Sequence, residues 1–451
     1  MMLDRTRPPS PGPLRAFDFP PSTMTRLDSG VALEVVHLPR LPLVTAILVL
    51  RAGEDRLAFD RGGLAVLAGD ALEGGTHALE GHAFAEALER IGADLDVSTG
   101  WDVTNVSLSC LADRLPAALE LLASLVREPA FPEAEVRRTR DGQLARIRQR
   151  DMNPGSRAAT WAARTLYAEG EPYARSALGN LDGVETLGRG AVAGFAEAHY
   201  RPAGAALVVA GDVDAGEVEQ LTGRVFDGWT GGDGVPEPPE GTPAESDRRT
   251  VVVDRPGAVQ SEIRVGHVGA PRSIEDRLDL VVGNAVLGGT FSSRLNLNLR
   301  ERNGFTYGVR ARWAWRRGPG PFLVGTAVDT AVTGDAIREI IGEIERIHAD
   351  GPDADEVEQA RNYLAGVFPL RLESTSQVAS HVAERHVHGL PADYWATWRD
   401  RIRAVTADSA HAALRRYLRP ESLQCVVVGE SAAIARDLAS LDVGPIGVVD
   451  R

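Results

Sequence analysis

The chain has 451 residues, more than one hydrophobic core usually serves, so a single small module is excluded and at least two domains are expected. With 43% hydrophobic and 25% charged residues the composition is that of a globular protein, not of a disordered chain. Its 49 basic and 63 acidic residues leave a net charge of −14, a surface that repels polyanions, so nucleic acid is not an expected partner.

Residues 1–25 carry six prolines and no apolar run long enough for a signal-peptide core, and they read as a disordered segment. No later stretch reaches about 18 uninterrupted apolar residues, so no membrane partner is expected and the cytoplasm is the default location. Cys110 and Cys425 are too few for a secreted disulfide framework, which fits a reducing compartment. All 49 basic residues are arginine, read as codon usage in a GC-rich genome and not as chemistry.

Between residues 26 and 230, Val31 to Leu38, Val44 to Leu50, Val103 to Leu111 and Ala205 to Ala210 are alternating or β-branched runs that predict strands. Phe84, Leu88 and Ile91 lie at helical spacing before a stop at Gly92. From Gly231 to Arg249 the chain has four prolines, many charges and almost no large apolar side chain, and reads as a linker. From 250 to 440 the scheme returns, with strands over Arg249 to Val253, Ser261 to His267 and Phe322 to Val328, and helices near Ala336 to His348 and Asp355 to Phe368. Strands and helices interleave without a regular βαβ rhythm, which predicts an α+β fold of antiparallel-rich sheets backed by helices.

The two parts repeat each other. Val66 to Thr76, VLAGDALEGGT, matches Leu280 to Thr290, LVVGNAVLGGT, at an offset of 214. Glu135-Val136 with Arg140 recurs as Glu356-Val357 with Arg361, an offset of 221. Arg201-Pro202 followed by Gly211 recurs as Arg419-Pro420 followed by Gly429. Three landmarks in the same order imply two homologous halves of roughly 215 residues.

Leu287 to Gly308, LGGTFSSRLNLNLRERNGFTYG, and Gly63 to Thr76, GLAVLAGDALEGGT, carry a resemblance to the insulinase and pitrilysin family of zinc peptidases, in its half-size branch with bacterial peptidases and mitochondrial processing peptidase subunits. The resemblance covers nearly the whole chain and implies a clamshell built of two α/β-sandwich-like halves. Active members carry HxxEH on one helix, where i and i+4 histidines share a face and the glutamate reaches a metal-bound water. A glutamate about 76 residues beyond the second histidine completes their site. On this chain the histidine positions fall on Val66 and Asp70, the base on Gly69 and the third ligand on Arg146. Only Asp70 has a usable donor, so the resemblance implies no metal and no cofactor in this chain, with zinc expected in a partner subunit.

Two other patterns deserve weighing. His77 with Glu80 and His82, and His381 with Glu384 and His386, are both HxxExH, and helix residues five apart point about 140° away from each other. His381 and His388 share a face but stand about two turns, or 10 Å, apart. All are expected to be surface histidines.

Arg300 and Tyr307 remain. Ser292 to Asn303 reads as a helix stopped by Gly304, and Thr306 to Arg310 as the start of a strand, so both side chains can lie near one corner. In the resembling family, the arginine and tyrosine at these positions hold substrate and stabilise the developing oxyanion, so they are the candidate catalytic residues. The bland alternative is a helix-surface cation and a half-buried strand aromatic. The turn Gly288, Gly289, Thr290, Phe291, Ser292 and Ser293 is a candidate substrate-binding segment by the same resemblance, or only a tight turn, since Gly74-Gly75-Thr76 repeats it. Trp313 and Trp315 read as core or chamber wall.

The expected function is that of a non-catalytic, substrate-binding subunit of a heterodimeric zinc peptidase, inactive alone, whose partners are a zinc-bearing homologue and an unstructured peptide. The alternatives are a structural or assembly protein, or a peptide-binding protein without chemistry.

Overall fold

The computed structural model describes residues 12, 15–232, 234–244 and 247–449. The first half builds six strands: β1 (Ser22–Arg26), β2 (Ala32–His37), β3 (Leu43–Leu50), β4 (Asp94–Thr99), β5 (Thr104–Leu111) and β6 (Ala206–Gly211). They form one sheet in the order β1-β2-β6-β3-β5-β4, with β2 and β6 parallel and every other neighbouring pair antiparallel. The second half builds β7 (Arg249–Asp254), β8 (Gln260–Val268), β9 (Arg310–Trp313), β10 (Pro321–Asp329), β11 (Gln424–Gly429) and β12 (Ile446–Val449). Their order, β12-β7-β11-β8-β10-β9, repeats the first sheet from β7 to β9, while β12 runs parallel to β7 where β1 runs antiparallel to β2. The α+β reading therefore holds, and each sheet ends in a short strand, β4 or β9, with one edge unpaired.

Helices cover both faces of each sheet, and seven of them position the site: α1 (Leu64–Asp70), α2 (Glu133–Met152), α3 (Pro154–Leu166), α4 (Arg277–Asn284), α5 (Ala354–Val367), α6 (Thr375–His388) and α7 (Tyr394–Ala404). One face of the first sheet packs Leu33, Val35, Leu48, Val106 and Leu207 against its own helices, α1 included. The opposite face, through Val36, Ile47, Val49 and Val208, is covered by Val378, Val382 and Val387 of α6, which belongs to the second half. In return α3, from the first half, lays Ala158 and Ala162 over Val251, Val253, Val426 and Val428 of the second sheet. This exchange explains why β3 reads LVTAILVL with little alternation: both its faces are buried.

Ser374 and Gln377 close a capping box at the start of α6, and Gly389, at φ 62°, ends it. Arg51 of the first half donates to the last carbonyls of α6, Val387 O at 2.7 Å and His386 O at 2.5 Å. Glu34 of β2 is 1% exposed and accepts from Arg385, from His386 Nε2 at 2.6 Å and from Ser22 Oγ at 2.5 Å. Arg264 donates to Gly155 O of α3 at 3.0 Å.

Within residues 1–25, read as disordered, Ser22–Arg26 is a strand, and Phe17 meets Phe368 edge-on at 6.2 Å in the second half's core. Two phenylalanines so close to a strand give that stretch something to bury, which the prolines before it lack. Residues 1–11, 13 and 14 of the same reading lie outside the described residues. The described residues of the linker form no helix, and its last residue, Arg249, already begins β7; the linker is tacked to the first half where Ala168 N donates to Thr242 O and Ala244 N to Leu166 O, both at 2.9 Å.

Candidate functional site

The first-half corner is built around the start of α1. Gly63, at φ 93°, turns the chain into the helix, and its N–H donates to Glu54 Oε2 at 3.0 Å while Val66 N donates to Oε1 at 3.1 Å. Arg175 Nη1 holds the same carboxylate at 2.6 Å. A buried glutamate thus caps the helix whose face would carry the metal ligands in an active relative.

On that face Val66 is buried and offers no lone pair. Asp70 lies against Arg146 of α2, Oδ2 to Nη2, so the structure brings together the two positions, 76 residues apart, that the sequence reading assigned to metal ligands. Burial pushes the Asp70 carboxyl above its ordinary value, and Arg146 pulls it back only in part. A carboxylate engaged by a guanidinium, beside a valine and a glycine, does not suit zinc. Among the described residues no three His, Cys, Asp or Glu side chains gather closely enough to hold a metal ion.

Gly69, at the position of the base, is explained by packing. A Cβ there would sit 2.2 Å from Thr99 Oγ1 of β4, so the edge strand lies directly on the helix. Gly69→Ala is expected to cost about 1–3 kcal/mol through overpacking, more than the roughly 1 kcal/mol that alanine gains in helix propensity. With Thr99→Ala the obstruction is gone, and the same substitution should be neutral or stabilising. Thermal melts of the four proteins check this; an equal loss in both backgrounds would refute the packing account.

The histidines divide. His77 and His82 are exposed as expected, with His82 Nε2 3.3 Å from Glu86. His381, His386 and His388 are half-buried and not freely exposed, because α6 is the exchanged helix and two of its faces are covered. His381 Nδ1 bonds Gln377 O at 2.8 Å and its ring meets Trp395, His386 lies on Glu34, and burial among Arg272, Arg277, Arg51 and Arg317 pushes His388 down to about 3.

In the second half, α4 continues through wide π-type turns at Ala285–Gly289, and a further π-type segment spans Asn296–Arg302. Such widened turns are frequent at functional sites. The expected helix ends at Asn303 and Gly304, at φ 65°, but the strand begins at Arg310, not Thr306. Thr306 Oγ1 instead accepts from Gly308 N at 3.1 Å and from Thr326 Oγ1 of β10 at 2.9 Å, which holds residues 305–309 as a pinned loop. Tyr307 stands on that loop 98% exposed, so it is not a half-buried strand aromatic. The Arg300 guanidinium lies 4.2 Å over the ring of Phe291 and 3.5 Å from Glu301. No hydrogen bond or ring contact joins Arg300 to Tyr307 among the described residues.

The turn from Gly288 to Ser293 is shaped from within. Gly288 is buried, and a Cβ on it would meet Ala311 of β9 at 2.7 Å, so this glycine serves sheet packing. Gly289, Phe291 and Ser292 are exposed, and Phe291 is 70% so. Thr290 Oγ1 donates to Ala285 O at 3.1 Å, and Ser293 is buried. Pattern reading missed Asn296. Its Nδ2 donates to Thr290 O at 3.1 Å, Ser293 Oγ at 3.1 Å and Val309 O at 2.9 Å, and its Oδ1 accepts from Val309 N at 3.2 Å. One buried amide thus ties the Phe291 turn to the Tyr307 loop. The signal was an asparagine between two leucines in a helix, a poor place for it unless its amide is used.

Residues 38–178 match the family described as insulinase, peptidase family M16, and residues 186–364 match the peptidase M16 inactive domain. An uncharacterised zinc protease of Streptomyces coelicolor is 25% identical over 371 residues, covering 77% of this chain and 79% of that protein. A non-peptidase homologue of Helicobacter pylori is 24% identical over 407 residues, covering 88% and 91%. The crystal structure of a peptidase M16 inactive domain from Pseudomonas fluorescens superposes with a TM-score of 0.84 at 23% identity, covering 91% of this chain and 98% of that one. The expected resemblance and clamshell-type fold are thus met, and the chain belongs to the insulinase peptidase family, M16, with Val66, Gly69 and an Asp70 ion-paired to Arg146 on the first-half helix α1.

Proposed function

We propose that this chain is the non-catalytic, substrate-binding subunit of a heterodimeric zinc metallopeptidase that cleaves unstructured peptides, and that it supplies Arg300 and Tyr307 to the zinc site of a homologous partner. The observation that carries this reading is the contrast between the two corners. The metal face is closed by an internal ion pair, while Tyr307 projects fully into solvent from a loop that Asn296 and Thr326 hold in place. A phenol kept out of every internal contact on a pinned loop suits a hydrogen bond to something outside the chain. Arg300, flattened on Phe291, is ready to hold a carbonyl oxygen as it gains charge. The open edge of β4 can add an extended peptide by main-chain hydrogen bonds, a mode that demands an unfolded substrate. Among the described residues no helix is long and apolar enough to cross a membrane.

The chain is expected to bind no stoichiometric zinc and to leave unstructured peptides uncut when alone. Mixed with a zinc-bearing homologue encoded beside it, it should elute as a one-to-one complex that cleaves those peptides. About one tightly held zinc per isolated chain, or two separately eluting proteins whose activity is indifferent to mixing, would overturn the assignment.

A further inference from the structure

By the offset of 214, Asp70 corresponds to Asn284, and by the offset of 221, Arg146 corresponds to Val367. The first-half pair is closed by its ion pair, but Asn284 of α4 and Val367 of α5 line a cavity of about 400 Å³, together with Ala311 and Arg312 of the edge strand β9, and Asn284 Nδ2 donates to Ala311 O at 3.1 Å. The corner that would hold a metal in an active first half is therefore, in the second half, an open pocket beside an edge strand.

Its lining is aromatic. Trp313 and Trp315 stack at 5.9 Å on the strand side, and Phe368 stacks on Trp398 at 4.5 Å and on Trp395 at 5.9 Å on the helix side. Four of the chain's seven tryptophans line this one cavity. Its charge is one-sided. Arg277 lies 4.9 Å over Trp315 and donates to Tyr394 Oη at 3.0 Å, while Arg312 and Arg371 are exposed and, among the described residues, no carboxylate is paired to either. Glu384, the sole acid in the lining, is already engaged by Arg272 at 3.3 Å.

We propose that this cavity takes a large aromatic side chain of a bound peptide, and that Arg312 and Arg371 take a carboxylate next to that side chain. The inference rests on the peptide-binding reading above and adds to it a substrate class. Offset stacking on tryptophan favours a flat ring over an aliphatic group, and an unpaired guanidinium at the rim favours a carboxylate. That carboxylate can come from an acidic side chain or from the C-terminus of the peptide.

The test is fluorescence anisotropy of the full chain with four dye-labelled peptides of equal length: an internal Phe-Asp pair with an amidated end, a C-terminal Phe with a free carboxylate, an internal Phe-Asn pair, and an internal Ala-Asp pair. One of the first two is expected to bind at least about 10-fold more tightly than both of the last two, and which one it is identifies the carboxylate's source. Val281→Phe, which narrows the cavity from α4, should abolish the preference for Phe over Ala. Arg312→Gln should abolish the preference for a carboxylate and leave the fold intact, because Arg312 is exposed and makes no internal hydrogen bond or ion pair. Equal binding of all four peptides would overturn the pocket and leave the peptide-binding reading standing. A preference for Phe without one for the carboxylate would overturn the arginine assignment, and no binding of any peptide would remove both readings.

Discussion

Tyr307→Phe, in the complex with the zinc-bearing partner, is expected to lower kcat for peptide cleavage by about 10²- to 10³-fold, the usual effect of losing one oxyanion donor. The chain's own fold should not respond, since the 98% exposed phenol makes no hydrogen bond among the described residues. Arg300→Ala should weaken both KM and kcat, because a guanidinium holds the substrate carbonyl before it holds the oxyanion, and it also leaves the Phe291 ring uncovered. Steady-state cleavage by the reconstituted complex, with a thermal melt for each variant, separates the two effects. Wild-type turnover in both would return Arg300 and Tyr307 to the status of surface features and move the scaffold reading to first place.

The largest expected effect on stability is at Glu34. Glu34→Ala leaves Arg385 buried without its carboxylate and unties α6 from the sheet it covers, which should cost about 3–5 kcal/mol at neutral pH. Burial pushes the Glu34 carboxyl up, but hydrogen bonds from His386, Ser22 and Arg385 outweigh it, and the net direction is below the ordinary carboxylate value of 4.5. A carboxyl lowered on folding contributes stability that is complete above its unfolded value and is lost as pH falls through the folded one. The gap in melting temperature between wild type and variant should therefore be widest near pH 7 and close as pH drops below about 4. A variant that melts with wild type at pH 7 would show that this ion pair does not hold the exchanged helix.

Most inner strands were legible in the sequence and the outer ones were not. β2, β3 and β8 fall within a residue or two of the apolar runs that predict them, because burial on one or both faces leaves a hydrophobic pattern. The inner strand β11 is missed although it is buried throughout. β1, β4 and β12 are also absent from that reading, and β9 starts later than expected. These four outer strands are edges with a single neighbour, and a strand such as β4, DLDVST, mixes in polar residues because it buries little.

The candidate site divides along the same physical line. What a side chain can donate or accept is a property of its type, so Val66, Gly69 and Arg146 offer no zinc ligand at the positions the resemblance assigns, and Arg300 and Tyr307 offer donors, before any fold is known. Which groups meet is a property of topology. Only the folded chain sets Arg146 on Asp70, lays Thr99 against Gly69, and hides His386 and Arg385 over Glu34, more than 350 residues away. Only packing of α4, α5 and α7 around β9 gathers tryptophans from 313 to 398 into one cavity, since each sits in a local pattern that reads equally well as core.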